Sequence, residues 1–134
     1  MRFRGIGQRV LHRSEKKPVE ELANGIYRID GASFDQEAMK TYEGELFGAR
    51  AWIVDLRGYP PDSALMQLAG HLVSERTKLA RVSAVDLANP GAIVWWIYTY
   101  LEPRTPPFDG RVAVMVDEWT QSHGEYVAMA LRAS

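Results

Sequence analysis

Apolar and polar positions divide the chain into alternating strand-like and helix-like segments. "GIYRIDG" alternates apolar and polar residues and predicts a strand near 25–30, and compact apolar runs predict two more at 51–57 and 111–118. Between these strands, apolar residues four apart predict a helix over 34–48, and leucines at helical spacing predict another over 63–75. This order predicts an α/β fold with parallel strands and crossover helices.

Local signals at the ends of these segments give more detailed expectations. Ser33 and Gln36 have capping-box spacing and predict the start of the first helix, and Asp62 or Ser63 is the predicted N-cap of the second. The run over 51–57 is continuous enough in apolar character to predict burial on both faces of its strand.

The middle of the chain has a different pattern. Two β-rich runs flank the turn-forming sequence Asn89, Pro90 and Gly91 and predict a hairpin. Alternation along its second run predicts one face in the core and the other partly exposed, while a second interpretation is an apolar subsite for substrate. The aromatic residues concerned are Trp95, Trp96, Tyr98 and Tyr100.

Composition narrows the classes of function. The 134 residues are 46% hydrophobic with a net charge of -1, which is typical of one globular domain and gives no reason to expect a nucleic-acid or anionic-membrane partner. The chain has no cysteine, and its three histidines lack metal-ligand spacing, so neither a metal nor another cofactor is predicted. Apolar runs are too short to predict a membrane span.

The junction between the last strand and the last helix contains a serine that has two interpretations. Ser122 and Glu125 have the spacing of a capping box, which by itself indicates only a helix start. Ser122 also follows the carboxyl end of a predicted parallel strand, where open α/β sheets build their sites, and helix N-terminal amides there can stabilise an oxyanion. His123 is a poor base for it, because adjacent helical side chains point about 100° apart. We interpret His123 as a surface or substrate-facing residue.

Other candidate groups lie away from this serine in the sequence. His71 falls among apolar residues and indicates a satisfied or half-exposed histidine, with a catalytic base as the alternative. Asp117 and Glu118 are adjacent acids whose side chains point to opposite faces of a strand, so they are a weak carboxylate pair.

The segment "FDGRVAVMVDEWTQSHGEYVAMALR" resembles the nucleophile region of the tail-specific, or C-terminal processing, serine peptidases. Asp117, Glu118, Thr120, Ser122 and Glu125 match the positions of that motif. The resemblance implies a crotonase-like, ClpP-like core in which Ser122 hydrolyses peptide bonds through an acyl-enzyme.

Two further stretches carry the same resemblance. "GIYRIDGASF" is similar to the first core strand of that family, and "AWIVDLRG" is similar to its Asp-Leu-Arg strand and turn at 55–58. The family's following loop supplies an amide to the oxyanion hole, but Pro60 and Pro61 have no N–H here. The implied donors are therefore the backbone amides of Asp62 and His123.

The resemblance also implies an organisation and a substrate. Residues 1–24 are expected to be a linker or the end of a preceding, PDZ-like module, and 25–134 the N-terminal part of a peptidase core that is incomplete at its C-terminus. The general base, usually a lysine on a later strand, is then expected outside this chain. The implied substrates are peptides or unfolded proteins, and the implied compartment is the periplasm or the exterior.

Two expectations qualify this picture. The main alternative function is a non-catalytic peptide- or ligand-binding module on the same fold, because a fold does not fix a function. The apolar run at 111–118 also needs more cover than the last helix offers, so we expect exposed apolar surface around this strand or the terminal helix, and a chain that self-associates or is ordered by a partner.

Overall fold

The computed structural model describes residues 16–133. These residues form a four-stranded sheet, four α-helices and a separate two-stranded hairpin. The strands are β1 (Val19–Ala23), β2 (Ile26–Asp30), β3 (Ala51–Asp55), β4 (Thr77–Val85), β5 (Ile93–Leu101) and β6 (Arg111–Met115). The helices are α1 (Gln36–Thr41), α2 (Glu43–Phe47), α3 (Ala64–Ala69), extended by a 3-10 turn at Gly70–Leu72, and α4 (His123–Arg132).

The larger sheet has the strand order β1-β2-β3-β6. β2, β3 and β6 are parallel neighbours, and β1 pairs with β2 in the antiparallel direction. The predicted α/β class with parallel strands and crossover helices is confirmed. β1 was not predicted, and it lies within the 1–24 stretch for which the resemblance implies a linker or the end of a preceding module.

The helices pack on one face of this sheet. The connections from β2 to β3 and from β3 to β6 each lead to the neighbouring strand, in the same direction across the sheet. Because such connections between parallel strands are right-handed, both lie on the same side of the sheet. Ile29, Trp52 and Val54 point to that side and are fully buried. The helical and loop residues that complete this core are Phe34, Ala38, Leu46, Leu65, Leu68, Val127, Ala130 and Leu131.

The opposite face of the sheet is not covered by a helix among residues 16–133. Ile53 lies on that face beside Arg28 and Ala113, and it is only half-buried. The prediction that β3 is buried on both faces is therefore wrong, because the crossovers share one side.

The first predicted helix is interrupted near Tyr42, where α1 ends and α2 begins. Thr41 Oγ1 donates to the carbonyl of Glu37 at 2.9 Å, a contact that bends helices. The N-cap is Asp35, whose carboxylate accepts from the amides of Glu37 and Ala38 at 3.1 and 2.8 Å. The capping box predicted from Ser33 and Gln36 is therefore wrong, because the Asp35 carboxylate caps the start of α1 in place of the Ser33 hydroxyl.

Asp62 connects the starts of two helices. Its Oδ1 accepts from the Ala64 amide at 2.7 Å, and its Oδ2 accepts from the Gln36 amide at 3.0 Å. Ser63 occupies the N-cap position of α3 without a side-chain capping bond. Of the two predicted caps, Asp62 supplies the hydrogen bond.

The predicted hairpin is confirmed in β4 and β5, which pair along their length in the antiparallel direction. The expectation that one face lies in the core is wrong for most of β5, since Trp95 is 56% exposed and Trp96 is 71% exposed. Around β6, Val116 and Trp119 are also more than half exposed, as expected for a strand at the edge of the described sheet. Within residues 16–133, no helix has the length and apolar character needed to cross a bilayer.

Candidate functional site

The candidate site lies beyond the carboxyl ends of the parallel strands. Three loops meet there: 31–35 after β2, 56–63 after β3, and 116–122 between β6 and α4. We call the last loop the junction. Gly31 donates to the Asp55 carbonyl at 2.9 Å, and a Cβ atom at Gly31 would lie 2.6 Å from that oxygen. The first two loops therefore approach too closely to accept a side chain at this point.

A tight turn shapes the junction. The Asp117 amide donates to Thr120 Oγ1 at 3.0 Å, and the Thr120 amide donates back to the Asp117 carbonyl at 3.1 Å. The Asp117 carboxylate accepts from the Trp119 amide at 2.9 Å. Asp117 thus has a structural role in this turn. The predicted strand over 111–118 ends at Met115, so Asp117 and Glu118 lie in the junction and not on opposite faces of a strand.

Thr120 also joins the junction to the loop after β3. Its Oγ1 donates to the Leu56 carbonyl at 3.0 Å, across 64 positions of sequence. This contact ties the segment just before Ser122 to the segment just after Asp55. Sequence reasoning used Thr120 only as a motif match, since no local pattern reveals a partner so distant.

Ser122 is exposed and has an unusual backbone conformation. Its φ is 51° and its ψ is -113°, which lies outside the left-handed helical region and is a conformation that favours glycine. The predicted capping box is present, and the Ser122 amide donates to Glu125 Oε2 at 2.8 Å. The Ser122 side chain faces the Glu125 backbone amide as the other half of this capping box. A hydroxyl oxygen that accepts from an amide still has its own O–H to donate.

The structure brings the other two predicted site residues together. His123 Nε2 lies 3.0 Å from the carbonyl oxygen of Asp62, so the ring nitrogen donates to that carbonyl. His123 directly follows Ser122 and opens α4. Ser122, His123 and Asp62 therefore occupy one region, whereas the sequence places Asp62 about sixty positions away.

His71 lies in a different environment. It is 5% exposed, its ring centroid is 4.5 Å from that of Phe47, and its Nδ1 lies 2.7 Å from the Pro106 carbonyl oxygen. The Phe108 amide donates to the His71 carbonyl at 2.8 Å. These contacts hold the 102–108 loop against the core, and they show a histidine whose ring has a hydrogen-bond partner and which is buried, not half-exposed.

A charge network borders the site on the uncovered face of the sheet. Asp55 is 5% exposed and accepts two hydrogen bonds from Arg57, from Nε and Nη2, each at 2.8 Å. Arg28 Nη1 lies 3.7 Å from Asp55 and 3.9 Å from the buried Asp30. The hydrogen bonds from the Arg57 side chain lower the pKa of Asp55, against an opposing effect of burial.

This shift predicts an acid-dependent loss of stability. A lowered pKa in the folded protein stabilises it fully above the ordinary carboxyl value of 3.8, and this contribution is lost as the pH falls through the lower folded pKa. We expect the gap in free energy of unfolding between wild type and Asp55→Asn to shrink below about pH 4. Urea unfolding at a series of pH values measures that gap.

Arg57→Gln is the control for this prediction, because it removes the first cause of the shift and leaves the carboxyl group in place. Its acid-dependent loss over the same range should be smaller than that of wild type. A gap between wild type and Asp55→Asn that stays constant from pH 6 to below pH 3 contradicts the assignment.

Other features of the described residues do not add to this site. Within residues 16–133, no group of three or more histidine, aspartate or glutamate side chains is arranged to hold a metal ion. A cavity of about 750 Å³ lies at the amino ends of the parallel strands, lined in part by Ile26, Arg50, Phe108 and Arg111. This cavity and Ser122 therefore lie at opposite ends of the parallel strands.

Comparison with known proteins supports the fold. No family model matches the chain, and no curated protein matches it. Among solved structures, it is similar to a "putative peptidase" from Parabacteroides merdae, with a TM-score of 0.68 and 13% sequence identity. The match covers 85% of this chain and 39% of that one, so this chain spans well under half of the other protein's length.

Proposed function

We propose that this chain carries the nucleophile of a serine peptidase of the tail-specific type, on a crotonase-like, ClpP-like core. The observation that carries the proposal is the conformation of Ser122, with a positive φ at an exposed helix start beyond the carboxyl ends of parallel strands. Strained residues cluster at functional sites, and open α/β sheets build their sites in loops beyond the carboxyl ends of the strands. The similarity to a "putative peptidase" structure is consistent with this class of activity.

The proposed chemistry is acyl transfer in two stages. Ser122 Oγ loses its proton to a base and bonds to the scissile carbonyl carbon, and the resulting tetrahedral intermediate collapses as the amine leaves with that proton. Water then attacks the ester, and the acid product leaves as Oγ regains a proton. An extended peptide or unfolded segment is the proposed substrate.

Backbone amides near Ser122 are the proposed oxyanion donors. The first amides of a helix have no intrahelical partner, and His123 is the first residue of α4. The second donor is the Asp62 amide, because Pro60 and Pro61 have none. The bond from His123 Nε2 to the Asp62 carbonyl keeps the two donor segments adjacent.

The proposed general base lies outside the described residues. His123 Nε2 is bound to Asp62, and the His71 ring is packed against Phe47 and the Pro106 carbonyl. We therefore place the base that accepts the Ser122 proton outside residues 16–133.

A non-catalytic peptide-binding module is the second candidate function. The observation that favours it is the loop after β3, where Pro60 is buried and, like Pro61, offers no N–H to an oxyanion. In that case, the exposed residues Tyr59 and Trp119 beside Ser122 would contact a peptide without chemistry.

A fluorophosphonate probe distinguishes the two candidates. We expect it to form an adduct on Ser122 in the longest natural polypeptide that contains this chain, with the site mapped by mass spectrometry. The isolated 134-residue chain should react little, because the base is missing. An adduct confined to other serines, or peptide binding without any adduct, would favour the binding module.

A further inference from the structure

The backbone of Ser122 needs a constraint from its surroundings. Its φ of 51° and ψ of -113° are sparsely populated for a residue with a Cβ atom. Among residues 16–133, the other non-glycine residue with a positive φ is Asn24, which lies in the tight turn between β1 and β2, where asparagine commonly adopts this conformation. Ser122 has no such local reason, and strained backbone persists only where the surrounding structure enforces it.

The segment after Ser122 is fixed by packing. Gly124 is buried, and a Cβ atom there would lie 3.3 Å from Thr120 Cγ2 and 4.0 Å from the Leu56 carbonyl oxygen. Val127, about one turn further along α4, is fully buried in the core. The first turn of α4 is thus seated against Thr120 and the loop after β3, so a movement of the helix that relieved Ser122 would break these contacts.

The segment before Ser122 is fixed by one hydroxyl group. Thr120 Oγ1 donates to the Leu56 carbonyl at 3.0 Å and accepts from the Asp117 amide at 3.0 Å. The Asp117 carboxylate lies farther from this oxygen, at 3.4 Å, and a hydroxyl has one proton to donate, so the Leu56 carbonyl is the better-placed acceptor. Only Gln121 separates Thr120 from Ser122 in the chain.

We propose that the Thr120 hydroxyl holds Ser122 in its strained conformation, which makes Thr120 a positioning residue. With Thr120 tied to Leu56, and with Gly124 packed against Thr120, the three residues in between have to turn the chain from the junction into α4. Ser122 is the middle residue of these three, and it takes the positive φ. Only the effect of this strain on reactivity rests on the proposed function.

The bond from the Ser122 amide to Glu125 is the less favoured source of the strain. Glu125 is exposed, so its side chain can follow the amide if the backbone relaxes. Thr120 is half-buried and bonds to the main chain of Leu56, which is itself 1% exposed. The Leu56 amide donates to the Met115 carbonyl at 2.8 Å, so the partner of Thr120 is fixed to the sheet.

A pair of substitutions measures the strain without an enzyme assay. Glycine adopts the Ser122 backbone freely and alanine does not, so the equilibrium constant for unfolding should be at least about fivefold larger in Ser122→Ala than in Ser122→Gly. When each is combined with Thr120→Val, which removes the hydroxyl and keeps the shape of the side chain, the two should differ by less than about twofold. The cost of losing the hydroxyl is common to both proteins and cancels from their difference.

Two further backgrounds control this comparison. Thr120→Ser keeps the hydroxyl, and Thr77→Val removes a hydroxyl that bonds to the Glu75 carbonyl at 2.9 Å, away from the junction, so both should keep the difference. Urea unfolding of the chain measures it, with a stabilising osmolyte, equal in all samples, to keep the weaker variants folded. A difference that survives in Thr120→Val, that is lost in either control, or that is absent with the native threonines would overturn the proposal.

Fluorophosphonate labelling shows whether the strain serves the reaction. In the longest natural polypeptide that contains this chain, Thr120→Val should lower the labelling rate at Ser122 at least about tenfold, and Thr120→Ser should keep it within about threefold of wild type. Wild-type labelling in a Thr120→Val protein that has lost the strain difference would overturn the positioning role. Absence of labelling in the wild type would instead contradict the proposed function, and the unfolding data would still decide whether Thr120 holds the Ser122 backbone.

Discussion

Replacing Trp52 by alanine is expected to lower the free energy of unfolding by about 3–5 kcal/mol, the range for large aromatic-to-alanine changes in a core. Trp52 is fully buried in the central strand β3, and its ring stacks on Phe108 with centroids 3.6 Å apart and planes 8° apart. Its indole N–H donates to the Leu46 carbonyl at 2.9 Å. The substitution therefore leaves a cavity and removes the side-chain hydrogen bond to the Leu46 carbonyl, in a domain whose total stability is of the order of 5–15 kcal/mol.

The other tryptophans supply the matched control. Trp96 is 71% exposed on the hairpin, and Trp96→Ala should change the free energy of unfolding by less than about 1 kcal/mol when the chain is dilute enough to be monomeric. Urea unfolding followed by far-UV circular dichroism compares the two variants without relying on tryptophan emission. Similar losses for both would mean that the hairpin, and not the sheet, holds the main core.

The difference between these tryptophans marks how far the sequence could predict the fold. Ile29, Trp52 and Val54 lie in apolar runs between helical stripes, and these patterns correctly predict parallel strands with crossovers. The exposure of Trp96 could not be predicted, because alternation along a strand identifies two faces without saying whether another element covers either one. The same limit explains Ile53, since the side taken by the crossovers depends on the spatial order of the strands.

The candidate site was predictable to a similar extent. The position of Ser122 at a strand-to-helix junction follows from the pattern, and so does its capping box with Glu125. The tie from Thr120 to Leu56 joins residues 64 positions apart, and the bond from His123 to Asp62 joins residues 61 apart, so neither has a local signature. The positive φ of Ser122 was also hidden, because serine at that position gives no sign of a conformation that favours glycine.

Two substitutions at Ser122 test whether this conformation belongs to a nucleophile or to an ordinary helix cap. Ser122→Ala and Ser122→Gly both remove the hydroxyl, so each is expected to reduce the rate of fluorophosphonate labelling in the complete protein at least a thousandfold. Their stabilities should differ, because alanine keeps a strained backbone that glycine adopts freely. A non-glycine residue in a sparsely populated region costs about 1–3 kcal/mol, so Ser122→Gly should be more stable than Ser122→Ala by about 1 kcal/mol or more.

Ser63 is the control residue, since it is also exposed and also occupies a helix N-cap position, but with a φ of -84°. Ser63→Ala should leave labelling unchanged. Ser63→Gly should be no more stable than Ser63→Ala, because glycine at an ordinary φ brings only a greater loss of chain entropy on folding. Denaturant unfolding and labelling rates of the wild type and these four variants measure strain and reactivity together. Labelling that survives in Ser122→Ala would remove Ser122 from the chemistry. If the reaction requires the Ser122 hydroxyl, the protein retains a strained serine at a cost in stability. We then expect labelling to be lost in both variants and Ser122→Gly to be the more stable of the two.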